Sequence, residues 1–174
     1  PEVLEKGGFD VIVGNPPYVR QENLDATDQG TYAHAFSSVF AGTADLYAFF
    51  FQRSHQLLNS GGQLGFITST GFTKRDWGGN LSKFLSTQFE IRHAIDFGEL
   101  KVFEATVEPY IVVAAKRTPA SGHALEGHFI FCEVVNRIPH RRSKFGSLAE
   151  VRQVLEEQMG DILAKDCVRL PQQR

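Results

Sequence analysis

The chain has 174 residues, a formal net charge of −2 and a sequence pI near 6.3. A hydrophobic content of 42% is enough for one substantial core. The apolar runs are far shorter than the roughly 18 residues that cross a bilayer, and no charged-then-apolar leader precedes them, so we expect a cytoplasmic protein without a membrane partner. The two cysteines, Cys132 and Cys167, lack the spacing of zinc ligands or of a disulfide framework, and no metal site is predicted.

The order of the predicted elements is typical of an α/β fold. An apolar strand is expected at Phe9–Gly14, followed by an irregular stretch over residues 20–42. The later predictions are a helix over residues 44–58, a strand over 63–68, a helix over 77–88, and strands over 90–97, 110–116 and 128–135. A short polar link after Thr118 favours antiparallel pairing of the last two strands. A helix over residues 147–159 and a polar tail complete the chain.

The most informative motif is Asn15-Pro16-Pro17-Tyr18, directly after the first predicted strand. Both prolines have a fixed φ and no N–H, so the turn is stiff and its carbonyl groups are not used by a helix or ladder that begins there. The Asn15 side-chain carbonyl and the Pro16 backbone carbonyl can accept the two hydrogens of an exocyclic amine, and the Tyr18 ring can stack on a base. The motif therefore indicates methylation of an amine such as N6 of adenine, and a plain Pro-Pro turn is the alternative.

On these residues the chain resembles the γ-class N6-adenine DNA methyltransferases, above all the methylase regions of combined, type IIG-like restriction-modification proteins. Two further segments carry the likeness in the expected order, Asp45-Leu46-Tyr47-Ala48-Phe49-Phe50 and Gly61-Gly62-Gln63-Leu64-Gly65-Phe66-Ile67. The resemblance implies an α/β fold that is the C-terminal half of a Rossmann-like, S-adenosylmethionine-dependent methyltransferase, with a mixed sheet and an antiparallel edge hairpin. It also implies S-adenosylmethionine as methyl donor and double-stranded DNA as substrate.

The same resemblance assigns roles to single residues. Phe50 would touch the adenine ring of S-adenosylmethionine, with Asn15 and Pro17 also on the cofactor side. Ordinary core packing is the alternative for Phe50, because it belongs to an apolar helical stripe. Phe103 would close over the second face of a flipped adenine, opposite Tyr18.

Net charge gives little support for DNA binding, so the local distribution of charge matters more. Lys74 and Arg75 follow the strand predicted over residues 63–68, at the kind of sheet edge where ligands of open α/β folds gather, and we expect phosphate contact there. A second basic run comprises Arg137, His140, Arg141, Arg142 and Lys144. A solvated surface is the alternative for both.

The glycine-bearing cofactor turn and the acidic ribose ligand that the resemblance requires do not occur before Asn15, so the main cofactor-binding loop is absent from this chain. We therefore expect residues 1–146 to be a partial catalytic domain, and residues 147–174 a helix and tail leading towards an absent target-recognition domain. A fused nuclease is also possible. The fragment alone would be inactive, and an uncovered sheet edge and apolar face favour its self-association.

Two other functions stay open at this point. A protein glutamine methyltransferase also uses Asn-Pro-Pro-Tyr to hold an amide, although the Asp45-Leu46-Tyr47 segment and the segment around Phe103 argue against it. A non-catalytic nucleic-acid-binding or assembly module could keep the sheet without the cofactor half.

Overall fold

A computed structural model describes residues 2–20, 23–98, 103, 107–118, 128–133 and 167–171, the last two ranges by their backbone. The predicted helix over residues 147–159, the domain boundary after residue 146 and the basic run between Arg137 and Lys144 lie outside the described residues. The elements are α1 (Glu2–Glu5), β1 (Phe9–Gly14), α2 (Ala26–Ala35), α3 (Tyr47–Leu57), β2 (Leu58–Ser69), α4 (Gly71–Lys74), α5 (Gly78–Gln88), β3 (Phe89–Asp96), β4 (Pro109–Lys116), β5 (His128–Glu133) and β6 (Cys167–Pro171). None of the helices in this part of the chain is long and apolar enough to cross a membrane.

The described strands form one mixed sheet in the order β1-β2-β4-β3-β5-β6. β1 is parallel to β2, and β3 is parallel to β5. β4 is antiparallel to both of its neighbours, β2 and β3. The expected α/β class with a mixed sheet is therefore confirmed.

The predicted antiparallel pairing of strand 110–116 with strand 128–135 is wrong. β4 lies inside the sheet, between β2 and β3. Pro109 at its start is opposite Ser69 of β2, and Tyr110 is opposite Asp96 of β3. Its nearly continuous apolar sequence is typical of such an interior strand. The antiparallel pair at the edge is instead formed by β5 and β6, and β6 falls in the tail that was predicted to be polar.

The stretch predicted to be irregular, residues 20–42, contains the helix α2. The helix begins after Asp25, whose side chain accepts a backbone N–H of the first turn at 2.8 Å, as an N-cap does. Tyr32 and Phe36 stack on Phe49 of α3, with ring centroids 5.2 and 5.4 Å apart. The N-cap and the aromatic contacts with α3 therefore stabilise α2. The helix was not predicted from the sequence because its apolar periodicity is weak.

Helices α3 and α5 cover one face of the sheet. In the second half of β2 every second side chain is buried, namely Leu64, Phe66 and Thr68. Phe51 of α3 meets Phe66 edge to face, with the ring centroids 5.1 Å apart. The intervening residues of β2 on the opposite face, such as Ile67, are only half-buried, so the two faces of the sheet differ in their cover.

Helix α3 passes directly into β2, and Gly61 and Gly62, which lie between the predicted helix and the predicted strand, belong to β2. Lys116 Nζ donates to the backbone carbonyls of His55 and Leu58, both at 2.7 Å, so an ammonium group caps the end of the helix. Gly62 has no room for a side chain, because a Cβ there would lie 2.9 Å from the backbone oxygen of Phe9. The strand is therefore longer than the predicted one, with an irregular pairing to β1 at this point.

The carboxyl ends of β1, β2 and β3 lie at one edge of the sheet, because these three strands run in the same direction. The antiparallel strand β4 begins at this edge. The segments 15–18, 69–75 and 107–108 are thereby brought together, although they are far apart in sequence. In open α/β sheets this is the edge at which ligands bind.

Candidate functional site

Asn15 and Tyr18 are joined by a hydrogen bond at the tip of β1. The Asn15 side chain is exposed, and Tyr18 Oη donates to Asn15 Oδ1 at 2.6 Å, with the backbone oxygen of Ile67 at 3.3 Å as a second acceptor. Burial raises the pKa of the Tyr18 hydroxyl, so it is a protonated donor at neutral pH. A carbonyl oxygen has two lone pairs, so Asn15 Oδ1 keeps one acceptor position beside this bond.

A cleft of about 390 Å³ opens beside Tyr18. The turn of residues 69–71, between β2 and α4, forms part of its lining. Its charged lining consists of three basic and two acidic side chains, Arg20, Lys74, Arg75, Asp45 and Glu108. Three positive and two negative groups leave a formal excess of one positive charge, in a protein whose net charge is −2.

Glu108 fastens α4 to the segment that enters β4. Thr70 donates twice to Glu108, from its backbone N to the backbone O and from Oγ1 to Oε2, both at 3.0 Å. Lys74 Nζ forms an ion pair with the same carboxylate oxygen. The side chains of Lys74 and Glu108 are 38% and 41% exposed, so solvent screens the pair and its strength is modest.

Tyr47 lies beneath the turn that lines the cleft. It is fully buried, and its Oη donates to the Ser69 backbone oxygen at 3.3 Å and accepts from the Phe72 N–H at 3.1 Å. Its ring meets the ring of Tyr18 edge on, with centroids 6.3 Å apart and an interplanar angle of 90°. Burial and, second to it, the charge of Asp45 raise the pKa of Tyr47 far above its usual value, so the hydroxyl stays neutral.

The structure brings some of the predicted site residues together and leaves others apart. Tyr18, Lys74 and Arg75 line the same cleft, and Asn15 touches Tyr18. Phe50 is 41% exposed on α3 and is not one of the residues that line this cleft. Phe103 is half-buried, and the residues next to it lie outside the described part of the chain. The individual roles stay predictions.

Sequence reasoning did not identify Thr70 and Glu108 as site residues, and it used Tyr47 only as part of the segment Asp45-Leu46-Tyr47 that carries the family resemblance. Thr70 and Glu108 each lie next to the end of a predicted strand. Their contact depends on the pairing of Ser69 with Pro109, which the strand patterns did not reveal. The segment Asp45-Leu46-Tyr47 gave Tyr47 no individual role. A tyrosine at the start of an otherwise apolar helix was a further signal, since a buried hydroxyl needs a partner.

The mixed sheet and the helices on its face define a Rossmann-like α/β fold, of the class found in S-adenosylmethionine-dependent methyltransferases. The structure resembles a modification subunit of a putative type I restriction enzyme from Vibrio vulnificus YJ016, with a TM-score of 0.66 and 14% identity, over 95% of this chain and 34% of that chain. It also resembles a putative class I S-adenosylmethionine-dependent methyltransferase from Listeria monocytogenes, with a TM-score of 0.58 and 16% identity, over 86% and 42% of the two chains. At such identities the likeness concerns the fold.

Sequence similarity identifies the family. Residues 1–103 match the Eco57I restriction-modification methylases. The chain is 37% identical over 111 residues to the type II methyltransferase M.XhoI of Xanthomonas vasicola, covering 64% of this chain and 20% of the relative. It is 38% identical over 99 residues to the type II restriction enzyme and methyltransferase RM.Eco57I of Escherichia coli, covering 55% of this chain and 10% of the relative.

The chain belongs to the Eco57I restriction-modification methylase family, as its motifs predicted. It spans a fifth of the length of M.XhoI and a tenth of that of RM.Eco57I.

Proposed function

We propose that the chain is part of a DNA methyltransferase of a restriction-modification system, which transfers a methyl group from S-adenosylmethionine to N6 of an adenine flipped out of the duplex. The observation that carries this proposal is the hydrogen-bonded pair of Asn15 and Tyr18 at the carboxyl end of β1, beside a cleft with excess positive charge. The names of the relatives M.XhoI and RM.Eco57I support the methyltransferase activity. A DNA substrate would place the protein in the cytoplasm.

The first role of the site is to prepare a poor nucleophile. The lone pair of an aromatic amine is delocalised into the ring, and two acceptors aimed at the amine hydrogens draw it out of the plane. Asn15 Oδ1 keeps an acceptor position beside its bond from Tyr18, and the Pro16 backbone carbonyl would be the second acceptor. The amine can lose its proton after methyl transfer, so no titrating base is required.

The second role is to hold the flipped base. Tyr18 would stack on one face and Phe103 on the other, and each aromatic contact contributes roughly 1–3 kcal/mol per base. The Tyr18 hydroxyl donates to Asn15, and this bond would hold the Tyr18 ring in place while the base stacks on one face of the ring. Lys74 and Arg75 would contact the phosphate groups on either side of the extruded nucleotide.

The residues on the cofactor side fit one part of S-adenosylmethionine, which supplies an electrophilic methyl group when it is bound. Phe50 offers a ring that is 41% exposed, a surface on which an adenine can stack, and Asn15 and Pro17 are exposed at the strand tip. These three residues would touch the donor. The glycine-bearing turn and the acidic ribose ligand would come from other strands of the complete enzyme.

The edge of the sheet at β1 exposes apolar side chains, as expected of a surface that another element covers. Among the described strands β1 pairs with β2 only, and Phe9, Val11 and Val13 on one of its faces are 41%, 56% and 78% exposed. In the complete enzyme this edge would carry the remaining strands of the sheet, with residues 1–146 as part of the catalytic domain and residues 147–174 leading towards target recognition. Alone, the chain would be inactive and would self-associate.

Substitution of Asn15 in the complete enzyme tests the function. The wild-type gene is expressed in a host without adenine methyltransferases, and N6-methyladenine in its DNA is measured by mass spectrometry. Asn15→Ala removes one of the two acceptors and should lower methylation about 100-fold or more, while DNA affinity changes by less than about threefold because phosphate contacts dominate it. Asn80→Ala is the matched control, an exposed asparagine on α5 that bonds the Phe40 carbonyl.

Three results would contradict the proposal. Methylation of host proteins on glutamine, without methylated DNA, would favour a glutamine methyltransferase. DNA binding without any methyl transfer by the complete wild-type protein would favour a non-catalytic module. Equal losses of methylation and of DNA binding in Asn15→Ala would contradict the role given to the Asn15 carbonyl.

A further inference from the structure

We propose that the hydroxyl of Tyr47 is a positioning group of the methyl-transfer site, which fixes both the turn that lines the cleft and the ring of Tyr18. This inference depends on the proposed function, because it concerns the geometry of that same site. It assigns to Tyr47 no contact with the DNA or with the cofactor. Its effect would pass through Tyr18 and through residues 69–72.

Packing explains the ring of Tyr47 but leaves the hydroxyl to be explained. The ring is buried against Phe72 and Trp77, with centroid distances of 6.4 and 5.8 Å, and a phenylalanine would fill the same space. Burial of a hydroxyl is unfavourable unless hydrogen bonds compensate it. Both partners of the Tyr47 hydroxyl, the Ser69 carbonyl and the Phe72 N–H, belong to one turn, so the hydroxyl acts on that turn.

The turn is a wall of the cleft. Ser69 ends β2 and Phe72 lies in α4, so the Tyr47 hydroxyl bridges the two ends of the turn, and Thr70 and Gly71 between them line the cleft. The fit is close, because a Cβ on Gly71 would lie 3.3 Å from Asp45 Oδ2 and 3.4 Å from Tyr47 Oη. Thr70 in turn holds Glu108, and the Tyr47 hydroxyl thereby also supports the segment that enters β4.

The contact with Tyr18 links Tyr47 to the reacting group. Tyr18 bonds Asn15 through its hydroxyl and rests its ring on Tyr47 at a right angle, with centroids 6.3 Å apart. If the hydroxyl of Tyr47 is lost, the turn is free to shift, and the support of Tyr18 shifts with it. We expect the rate of methyl transfer to fall, because a misplacement of about 1 Å at a reacting centre is costly.

The test compares Tyr47→Phe with Tyr32→Phe in the complete enzyme. Tyr32 is a half-buried tyrosine of α2 whose ring also stacks in an aromatic cluster, but it is not one of the cleft residues. Once the methylated sequence has been determined by sequencing, kcat and the KM for S-adenosylmethionine are measured on a duplex that contains it. Tyr47→Phe should lower kcat about tenfold or more, with KM within about twofold of wild type, and Tyr32→Phe should keep the wild-type kcat.

A second variant decides the question if Tyr47→Phe does not fold. Ser69→Ala removes the hydroxyl that accepts the Gly71 N–H at 3.1 Å, which loosens the same turn without altering an aromatic ring. Ser69→Ala should also lower kcat, as expected for Tyr47→Phe. Wild-type kcat in both variants, or equal losses in Tyr47→Phe and Tyr32→Phe, would overturn the inference. Absence of N6-methyladenine with the wild-type enzyme would instead reject the proposed function.

Discussion

At the scale of single residues, the proposed function gives the Tyr18 hydroxyl and the Tyr18 ring separate tasks. The hydroxyl donates to Asn15 Oδ1 at 2.6 Å and would orient the amide, and the ring would stack on the base. A net contribution of about 1 kcal/mol is usual for such a bond, which corresponds to a rate factor somewhat below ten. The two tasks can therefore be separated by substitution.

Tyr18→Phe should keep base stacking and lose the orientation of Asn15. We expect kcat to fall about five- to tenfold, while the fluorescence of 2-aminopurine at the target position stays as in wild type. Tyr18→Ala should lose both the rate and the fluorescence signal, because no ring remains to stack on the base. Wild-type kcat in Tyr18→Phe, or the same loss of fluorescence in both variants, would refute this division of tasks.

Part of the candidate site could be predicted from the sequence. Asn15-Pro16-Pro17-Tyr18 is contiguous and follows a strand with a clear apolar pattern, and the basic pair Lys74-Arg75 follows another strand, so both could be assigned to the same sheet edge. Glu108 could not be found in this way. Its bonds to Thr70 and Lys74 span more than thirty residues and depend on the strand order.

At the scale of elements, the hydrogen bonds of Thr70 and the ion pair of Lys74 join α4 to Glu108 in the segment before β4. Lys74 is paired with Glu108, so its charge is partly compensated before any phosphate approaches. A DNA phosphate would compete with the Glu108 carboxylate for the same ammonium group. Glu108 would thereby lower the attraction of the cleft for DNA.

Neutralising the two partners should have opposite effects on DNA binding. Lys74→Gln removes a phosphate contact and should weaken binding, with a salt slope reduced by about 0.9. Glu108→Gln keeps an acceptor for Thr70 but frees Lys74, and should tighten binding by a few fold, roughly the strength of an exposed ion pair. Affinities measured by fluorescence anisotropy over a range of salt concentrations test both.

Lys83→Gln provides the control for the loss of one charge, since Lys83 is an exposed lysine on α5 and is not a cleft residue. In a Lys74→Gln background, Glu108→Gln should no longer tighten binding, because its effect passes through Lys74. Weaker binding by Glu108→Gln alone, or an undiminished effect in the double variant, would show that Lys74 is not the phosphate contact.

The elements themselves could be predicted better than their arrangement. Apolar runs revealed β1, β3 and β4 close to their observed limits. The position of β4 between β2 and β3 could not be predicted, because strands that are neighbours in sequence need not be neighbours in a sheet. The same limit applies to Cys132 and Cys167, which are distant in sequence and lie directly opposite each other in the β5–β6 register.

At the scale of the whole molecule, β1 lies at the edge of the sheet that the described strands form, and we expect it to determine whether the isolated chain associates. A strand that has a neighbour on one side only, as β1 has among the described strands, and that also exposes large apolar side chains is a template for association. Val11 and Val13 are its most exposed apolar residues, at 56% and 78%. In the complete enzyme another strand would pair with β1 and cover these valines. The oligomeric state of the complete enzyme should therefore not depend on Val11 and Val13.

We predict that the 174-residue chain self-associates and that Val11→Lys with Val13→Lys reduces this association. Charged side chains on an edge strand oppose pairing with a second copy. Analytical ultracentrifugation over a range of concentrations measures the effect. Val19→Lys is the control, since Val19 is 38% exposed but lies outside β1. A wild-type chain that is monomeric at high concentration would contradict the prediction.

The proposed chemistry requires that Asn15 and Pro16 offer two oxygens to the amino group of an extruded adenine. A crystal structure of the complete enzyme with target DNA and a non-reactive cofactor analogue tests it most directly. We expect the adenine N6 atom to lie within about 3.2 Å of Asn15 Oδ1 and of the Pro16 carbonyl oxygen, the usual limit for such hydrogen bonds. A target base that stays in the duplex, or an amino group bound away from both oxygens, would contradict the claim.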